Sequence, residues 1–141
     1  DRDWMRKCAA VRDAARRGRR ILASKGDMID LIAAVGGADL AALTGFVSQS
    51  ALRQTPLVLD GLVSTAAAAV AQRIGRRTTR WVVAGHRSAD PGHAALLDVL
   101  RLEPLVAYEV GRDDGMGALL AVPHLRAAAA LLAEPGAEAV P

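Results

Sequence analysis

Aromatic side chains are nearly absent from this chain: one Phe, one Tyr and two Trp make up 3% of its 141 residues. A core therefore has to be built from Leu, Val, Ile and Ala, and the 52% hydrophobic content supplies enough of them for one domain. Cysteine is limited to Cys8, which excludes an internal disulfide and a cysteine metal cluster and reads as a small residue on a helix face. No apolar stretch approaches the roughly 18 to 20 residues of a membrane span. The N-terminus has no signal-peptide pattern either, so a cytoplasmic location without a membrane partner is expected.

Acidic balance is missing from one place only. The first twenty residues carry eight basic groups (Arg2, Arg6, Lys7, Arg12, Arg16, Arg17, Arg19, Arg20) against Asp1, Asp3 and Asp13, a local +5, so the rest of the chain sums to −2 of the overall +3. A nucleic-acid surface would interleave aromatics with such a stripe, and here only Trp4 is nearby. A solvated, arginine-rich helix is the reading, with no nucleic-acid partner. The chain also starts without Met, inside or just before a helix, as expected of a piece of a longer protein.

The rest is organised around Pro56 to Thr65, an apolar run that stops at Asp60-Gly61 and passes into the alanines Ala66–Ala69. It predicts a buried strand, a tight turn and a helix, a unit whose ligands collect at the carboxyl end of the strand. Upstream, Trp4, Cys8, Val11 and Ala15 recur at helical spacing, predicting a helix from Asp3 to about Arg17 that lays this stripe on the core and ends at Gly18. Asp27 is placed to cap a second helix bearing Met28, Leu31, Ile32 and Val35, stopped by Gly36-Gly37. Asp39 is placed to cap a third, Leu40 to about Leu52, with Leu43, Phe46 and Val47 inward and Gly45 at a close packing point.

Downstream, Trp81 to Ala84 reads as a second strand ended by Gly85-His86, and Asp90-Pro91-Gly92 as a turn into a helix from His93 to about Leu100. Leu105 to about Val110 reads as a third strand, followed by the glycine-rich loop Gly111–Gly117 and a helix from Ala118 to Ala133 that Pro123 kinks or delays. The tail from Pro135 is expected to fray. Strands alternating with helices predict an α/β fold with a parallel sheet and right-handed crossovers. Three strands make a thin sheet, which fits a missing upstream segment.

Polar residues gather at the three strand ends: Asp60 and Ser64, His86 and Ser88, Asp113 and Asp114. Their convergence on one edge is what such a sheet offers a ligand. Gly61, without a Cβ, lets a phosphate or sugar approach the backbone, with Asp60 orienting the loop or a ribose hydroxyl; alternatively the two are merely a turn pair. Ser88 serves as an N-cap, an anion ligand, or both. His86 and His93 lack the spacing and carboxylates of a metal site, and no metal is expected. The adjacent carboxylates of Asp113 and Asp114 repel, so one should titrate upward as suits a general base; a solvated turn is the alternative. Lys7, just past the apolar stripe, is a surface residue or a phosphate partner.

Together, Trp4-Met5-Arg6-Lys7, Ala34 to Asp39, Pro56 to Ser64, Gly85 to His93, Leu102 to Leu105 and Gly115-Met116-Gly117-Ala118 leading to Pro123 resemble, in order and spacing, the C-terminal half of the nicotinate-nucleotide–dimethylbenzimidazole phosphoribosyltransferase family. The resemblance covers almost the whole chain. It implies a Rossmann-like α/β large domain, incomplete here and ending near residue 112, and a C-terminal helix of a small helical domain over 113–141. It implies transfer of the 5-phosphoribosyl group from nicotinate mononucleotide to 5,6-dimethylbenzimidazole, giving nicotinate and α-ribazole 5′-phosphate, with no cofactor and as a homodimer at full length. The family's catalytic base, a glutamate in a Gly-Glu-Gly-x-Gly loop, corresponds to Asp114. Phosphate and ribose contacts correspond to Lys7, Gly61 and Ser88, with Gly36, Gly37 and Asp60 beside them.

Two departures accompany the resemblance. Asp114 is one methylene shorter than the family glutamate; a misplacement of about 1 Å costs on the order of 100-fold, within the roughly 10² to 10⁴-fold a general base supplies. The family's upstream half, which sandwiches the benzimidazole, does not lie in this sequence, so the isolated chain is expected to be inactive or nearly so. Two readings result: part of a working transferase, or a catalytically degenerate relative that binds a nucleotide or a partner.

Overall fold

The computed structural model describes residues 2–111 and 114–134. Three parallel strands, β1 (Leu57–Leu59), β2 (Val82–Ser88) and β3 (Pro104–Val110), form a sheet in the order β1-β2-β3. Helix α4 (Leu62–Ile74) with a short 3-10 turn (Thr78–Trp81) connects the first pair, and α5 (Pro91–Leu100) the second. Upstream lie α1 (Arg2–Ala23), α2 (Met28–Val35) and α3 (Ala38–Leu52); α6 (Met116–Leu132) is the last element among the described residues. The parallel α/β class expected from the sequence is present. No helix among the described residues is long and apolar enough to cross a membrane.

The core lies on one face of the sheet, where Leu59 and Val82 meet Ala68 and Ala71 of α4, Val47 of α3 and Leu100 of α5. Alanine explains how closely α4 seats: Ala67, Ala68 and Ala71 are 0% exposed, and side chains this small let a helix approach a sheet without aromatic filling. Val58 and Gly85 fall on the alternate face by the two-residue period of a strand. There α6 packs, and a Cβ on Gly85 would stand 2.9 Å from Ala118 Cα and 2.9 Å from the Leu59 carbonyl oxygen. This is why the second strand does not end at Gly85-His86 as expected: the glycine is a contact point for a covering helix, and β2 runs on to Ser88.

The helical end differs from the periodicity in ways that packing explains. Helix α1 passes through Gly18, which is buried because Leu31 and Val35 of α2 lie 3.2 and 3.8 Å from where its Cβ would be. The Arg17 guanidinium donates to the Ala34 carbonyl, 3.1 Å, at the same crossing. The stripe expected on the core is outward instead, with Trp4 63% and Val11 60% exposed, since α1 packs on α2 through its C-terminal half. Asp27 caps α2 as expected, accepting from Ile29 and Asp30 N–H at 2.8 and 2.9 Å, and the Asp30 carboxylate returns to the Asp27 N–H. Helix α3 starts at Ala38 with Gly37 as N-cap, so Asp39 lies within its first turn and is not the cap. Val47 is buried but Phe46 faces outward, and Gly45 has nothing within 4 Å of a would-be Cβ, so no close packing occurs there.

Candidate functional site

The strand ends are tied together by Asp60. It leaves the carboxyl end of β1 almost fully buried, its N–H donating to Ser64 Oγ at 2.9 Å while that hydroxyl donates to the Gly61 carbonyl. Its carboxylate crosses to α6: Oδ2 accepts from Gly115 N–H at 3.0 Å and Oδ1 from Ala118 N–H at 2.9 Å. The first N–H groups of a helix have no partner inside it, and an anion there is favoured by the dipole. Asp60 is thus a cap delivered from 55 and 58 residues away, each bond to its charge contributing about 1.5–3 kcal/mol. Of the two expectations for Asp60, orienting the loop is the one this geometry carries.

Beneath the same turn lies His86. Its imidazole is 0% exposed, its Nδ1 is 3.9 Å from Asp60 Oδ1, and neither ring nitrogen makes a hydrogen bond among the described residues. The ring fits only because residue 117 is glycine, since a Cβ there would overlap its Nδ1, Cγ and Cε1. The His93 ring is also 0% exposed, its centroid 5.8 Å from that of His86. Its Nδ1 accepts the Ser88 N–H at 3.1 Å and therefore carries no proton, so the Ser88 hydroxyl, 2.9 Å away, is the donor to it. Ser88 Oγ in turn accepts from Asp90 N–H at 3.3 Å. The hydroxyl thus uses its proton and one of its two lone pairs, and Ser88 is 6% exposed. Asp90 itself caps α5 through the Gly92 N–H at 2.7 Å, with Pro91 next to it.

Asp114 stands exposed at the head of α6, one carboxylate oxygen accepting from Met116 N–H at 3.2 Å. Gly115, the next residue, has φ 89°, a left-handed conformation that glycine adopts without strain. Asp113 and the boundary at residues 112/113 lie outside the described residues, so the expected carboxylate pair is seen through Asp114 alone. The approach to this loop is also irregular. Between His86↔Val106 and Ser88↔Val110, β3 spends two more residues than β2, and Glu109 sits at φ 51°. Such bulges bend a strand and re-aim the chain beyond it.

The structure therefore brings together Asp60, Gly61, Ser88 and Asp114, linked by His86, His93 and Gly117, at the carboxyl ends of β1 and β2. Gly61 is the N-cap of α4 and contributes no capping side chain. Lys7 lies outside this cluster, exposed on α1. Gly36 and Gly37 serve the α2–α3 junction, where Gly36 N–H bonds to the Ile32 carbonyl at 2.8 Å. Sequence reasoning missed the roles of Gly85 and Gly117; the signal for Gly85 is a glycine beside a polar residue in an otherwise apolar element, whereas Gly117 lies between Met116 and Ala118 and carries no local signal. Among the described residues, no cluster of three His, Cys, Asp or Glu is placed to hold a metal ion. An open cavity of about 720 Å³ lies at the opposite, amino end of β2 between Gln54, Ile74, Arg76, Arg77, Arg80 and Trp81.

Comparison with known proteins gives a consistent picture. A family model described as phosphoribosyltransferase matches residues 1–139. A nicotinate-nucleotide–dimethylbenzimidazole phosphoribosyltransferase of Streptomyces avermitilis is 58% identical over 95% of this chain and 35% of its own length; one of Mycobacterium avium is 51% identical over 94% and 37%. The crystal structure of the Thermus thermophilus protein of that name superposes with a TM-score of 0.70 at 39% identity, over 72% of this chain and 31% of its own. The chain thus spans about a third of the length of these relatives.

Proposed function

The chain belongs to the phosphoribosyltransferase family, and from that premise we propose that it is the part of a longer enzyme that carries the general base for transferring a 5-phosphoribosyl group from nicotinate mononucleotide to 5,6-dimethylbenzimidazole. The choice of substrates is supported by the name that relatives up to 58% identical carry. The role is supported by one observation: Asp114, the counterpart of the family glutamate, stands exposed at strand ends while the turn behind it is held by a buried carboxylate.

In this reading the Asp114 carboxylate takes the N–H proton of the benzimidazole as the other ring nitrogen attacks the anomeric carbon. The bond from that carbon to nicotinate breaks, and its electron pair returns to the pyridinium nitrogen, which becomes neutral. Loss of positive charge makes nicotinate a good leaving group, so the work left to the protein is orientation and proton removal. Phosphate and ribose contacts are assigned to Lys7, Gly36, Gly37, Gly61 and Ser88 on the resemblance, while Asp60 next to them holds the loop; the division near residue 112 and a homodimer rest on the resemblance too, and a cytoplasmic location is carried over from the sequence reading.

A second reading has its own observation. The short Asp114 carboxylate accepts from the N–H of Met116, a bond that draws it back toward its own helix, as in a relative that has kept binding and lost turnover. The test is product analysis with the full-length enzyme supplied with both substrates. Formation of α-ribazole 5′-phosphate supports the first reading. No product from the unaltered enzyme, with product appearing in Asp114→Glu, supports the second.

A further inference from the structure

We propose that Asp60 is a positioning residue that acts through Asp114, and that it does not contact substrate. The inference rests on the reading of Asp114 as the base and deepens it. Asp60 Oδ2 holds the N–H of Gly115, and that N–H belongs to the peptide plane that begins at the Asp114 carbonyl. Fixing it fixes the backbone from which the Asp114 side chain springs. Oδ1 holds Ala118 N–H one turn further on, so the two bonds set both the position and the direction of the α6 N-terminus. Residue 115 is left-handed at φ 89°, a conformation that an unrestrained glycine leaves readily. Both carboxylate oxygens are engaged by backbone donors, and the Asp60 side chain is only 12% exposed. His86 completes the support: fully buried, 3.9 Å from Asp60 Oδ1 and in contact with Gly117, it backs the same turn from below.

The two roles separate in kinetics. Asp60→Asn keeps the shape but turns an N–H₂ toward one of the two backbone donors, so the turn loosens. If Asp60 positions the base, kcat falls by about 10- to 100-fold, the cost of displacing a catalytic group by up to about 1 Å. The KM for nicotinate mononucleotide then stays within about twofold, because ground-state binding is untouched. In the double variant Asp60→Asn/Asp114→Asn, turnover equals that of Asp114→Asn alone, since the positioned group is already gone. A raised KM with unchanged kcat, or losses that multiply in the double variant, overturns the proposal.

Hydrogen exchange of the unaltered full-length enzyme supplies the arm that needs neither a folded variant nor turnover. The amides of Gly115 and Ala118 are expected to be protected, and exchange of both at the rate of free chain overturns the proposal. If the unaltered enzyme makes no α-ribazole 5′-phosphate but these amides are protected in it and exchange faster in Asp60→Asn, the substrate reading fails while Asp60 is still shown to hold the loop.

Discussion

Gly117→Ala is expected to destabilise the protein even though alanine is the better helix former. A Cβ at this position overlaps three atoms of the His86 ring, and that ring is 0% exposed with His93 and Asp60 close by, so it has no free direction to move. Overpacking a filled site costs about 1–3 kcal/mol, and the immobile neighbour puts this case at the upper end. Alanine in place of glycine inside a helix returns up to about 1 kcal/mol. The net is a loss of about 2 kcal/mol, or roughly 6–10 °C in melting temperature for a protein of this size. Gly45→Ala is the paired control: it is also helical, but nothing lies within 4 Å of its Cβ, so the propensity gain of up to about 1 kcal/mol appears undiminished. Thermal melting by circular dichroism of the two variants on one background gives opposite signs. Adding His86→Ala to Gly117→Ala should recover part of the loss because the clash is removed. Equal melting temperatures for the two glycine variants would refute the packing argument.

Asp27→Ala removes the carboxylate that accepts from Ile29 and Asp30 N–H at the start of α2, leaving the Asp30 bond to the residue 27 N–H, and should cost about 1 kcal/mol by chemical denaturation; an unchanged midpoint would mean that α2 does not depend on its cap. Trp4→Gln should change stability by less than about 0.5 kcal/mol, because Trp4 is 63% exposed on α1. A loss of several kcal/mol there would restore the expectation that the first apolar stripe packs on a core.

Much of the strand-turn-helix framework was legible because its signals are local. Asp60-Gly61 after an apolar run, Asp90-Pro91 before a helix and Asp27 before another each lie where backbone groups are satisfied within a few residues. The hidden features depend on neighbours distant in sequence. Gly85-His86 reads as a strand end by composition, yet it continues β2 because α6 comes within a few ångströms of the missing Cβ. Gly18 reads as a helix stop and serves as a helix crossing. Periodicity placed Trp4 and Phe46 on apolar faces but carries no information about what covers those faces. The site divides the same way. Asp60 and Asp114 were singled out by strand-end position, whereas the two bonds from Asp60 to the head of α6 span more than fifty residues and appear only in the fold.

The catalytic role proposed for this site depends on Asp114 removing the benzimidazole proton. Single-turnover kinetics of Asp114→Asn in the full-length enzyme, with nicotinate mononucleotide binding measured alongside, isolates that step. The amide is isosteric but cannot take the proton, so the rate is expected to fall by about 10² to 10⁴-fold with binding of the mononucleotide unchanged. An Asp114→Asn enzyme that turns over as fast as the unaltered one would contradict the assignment.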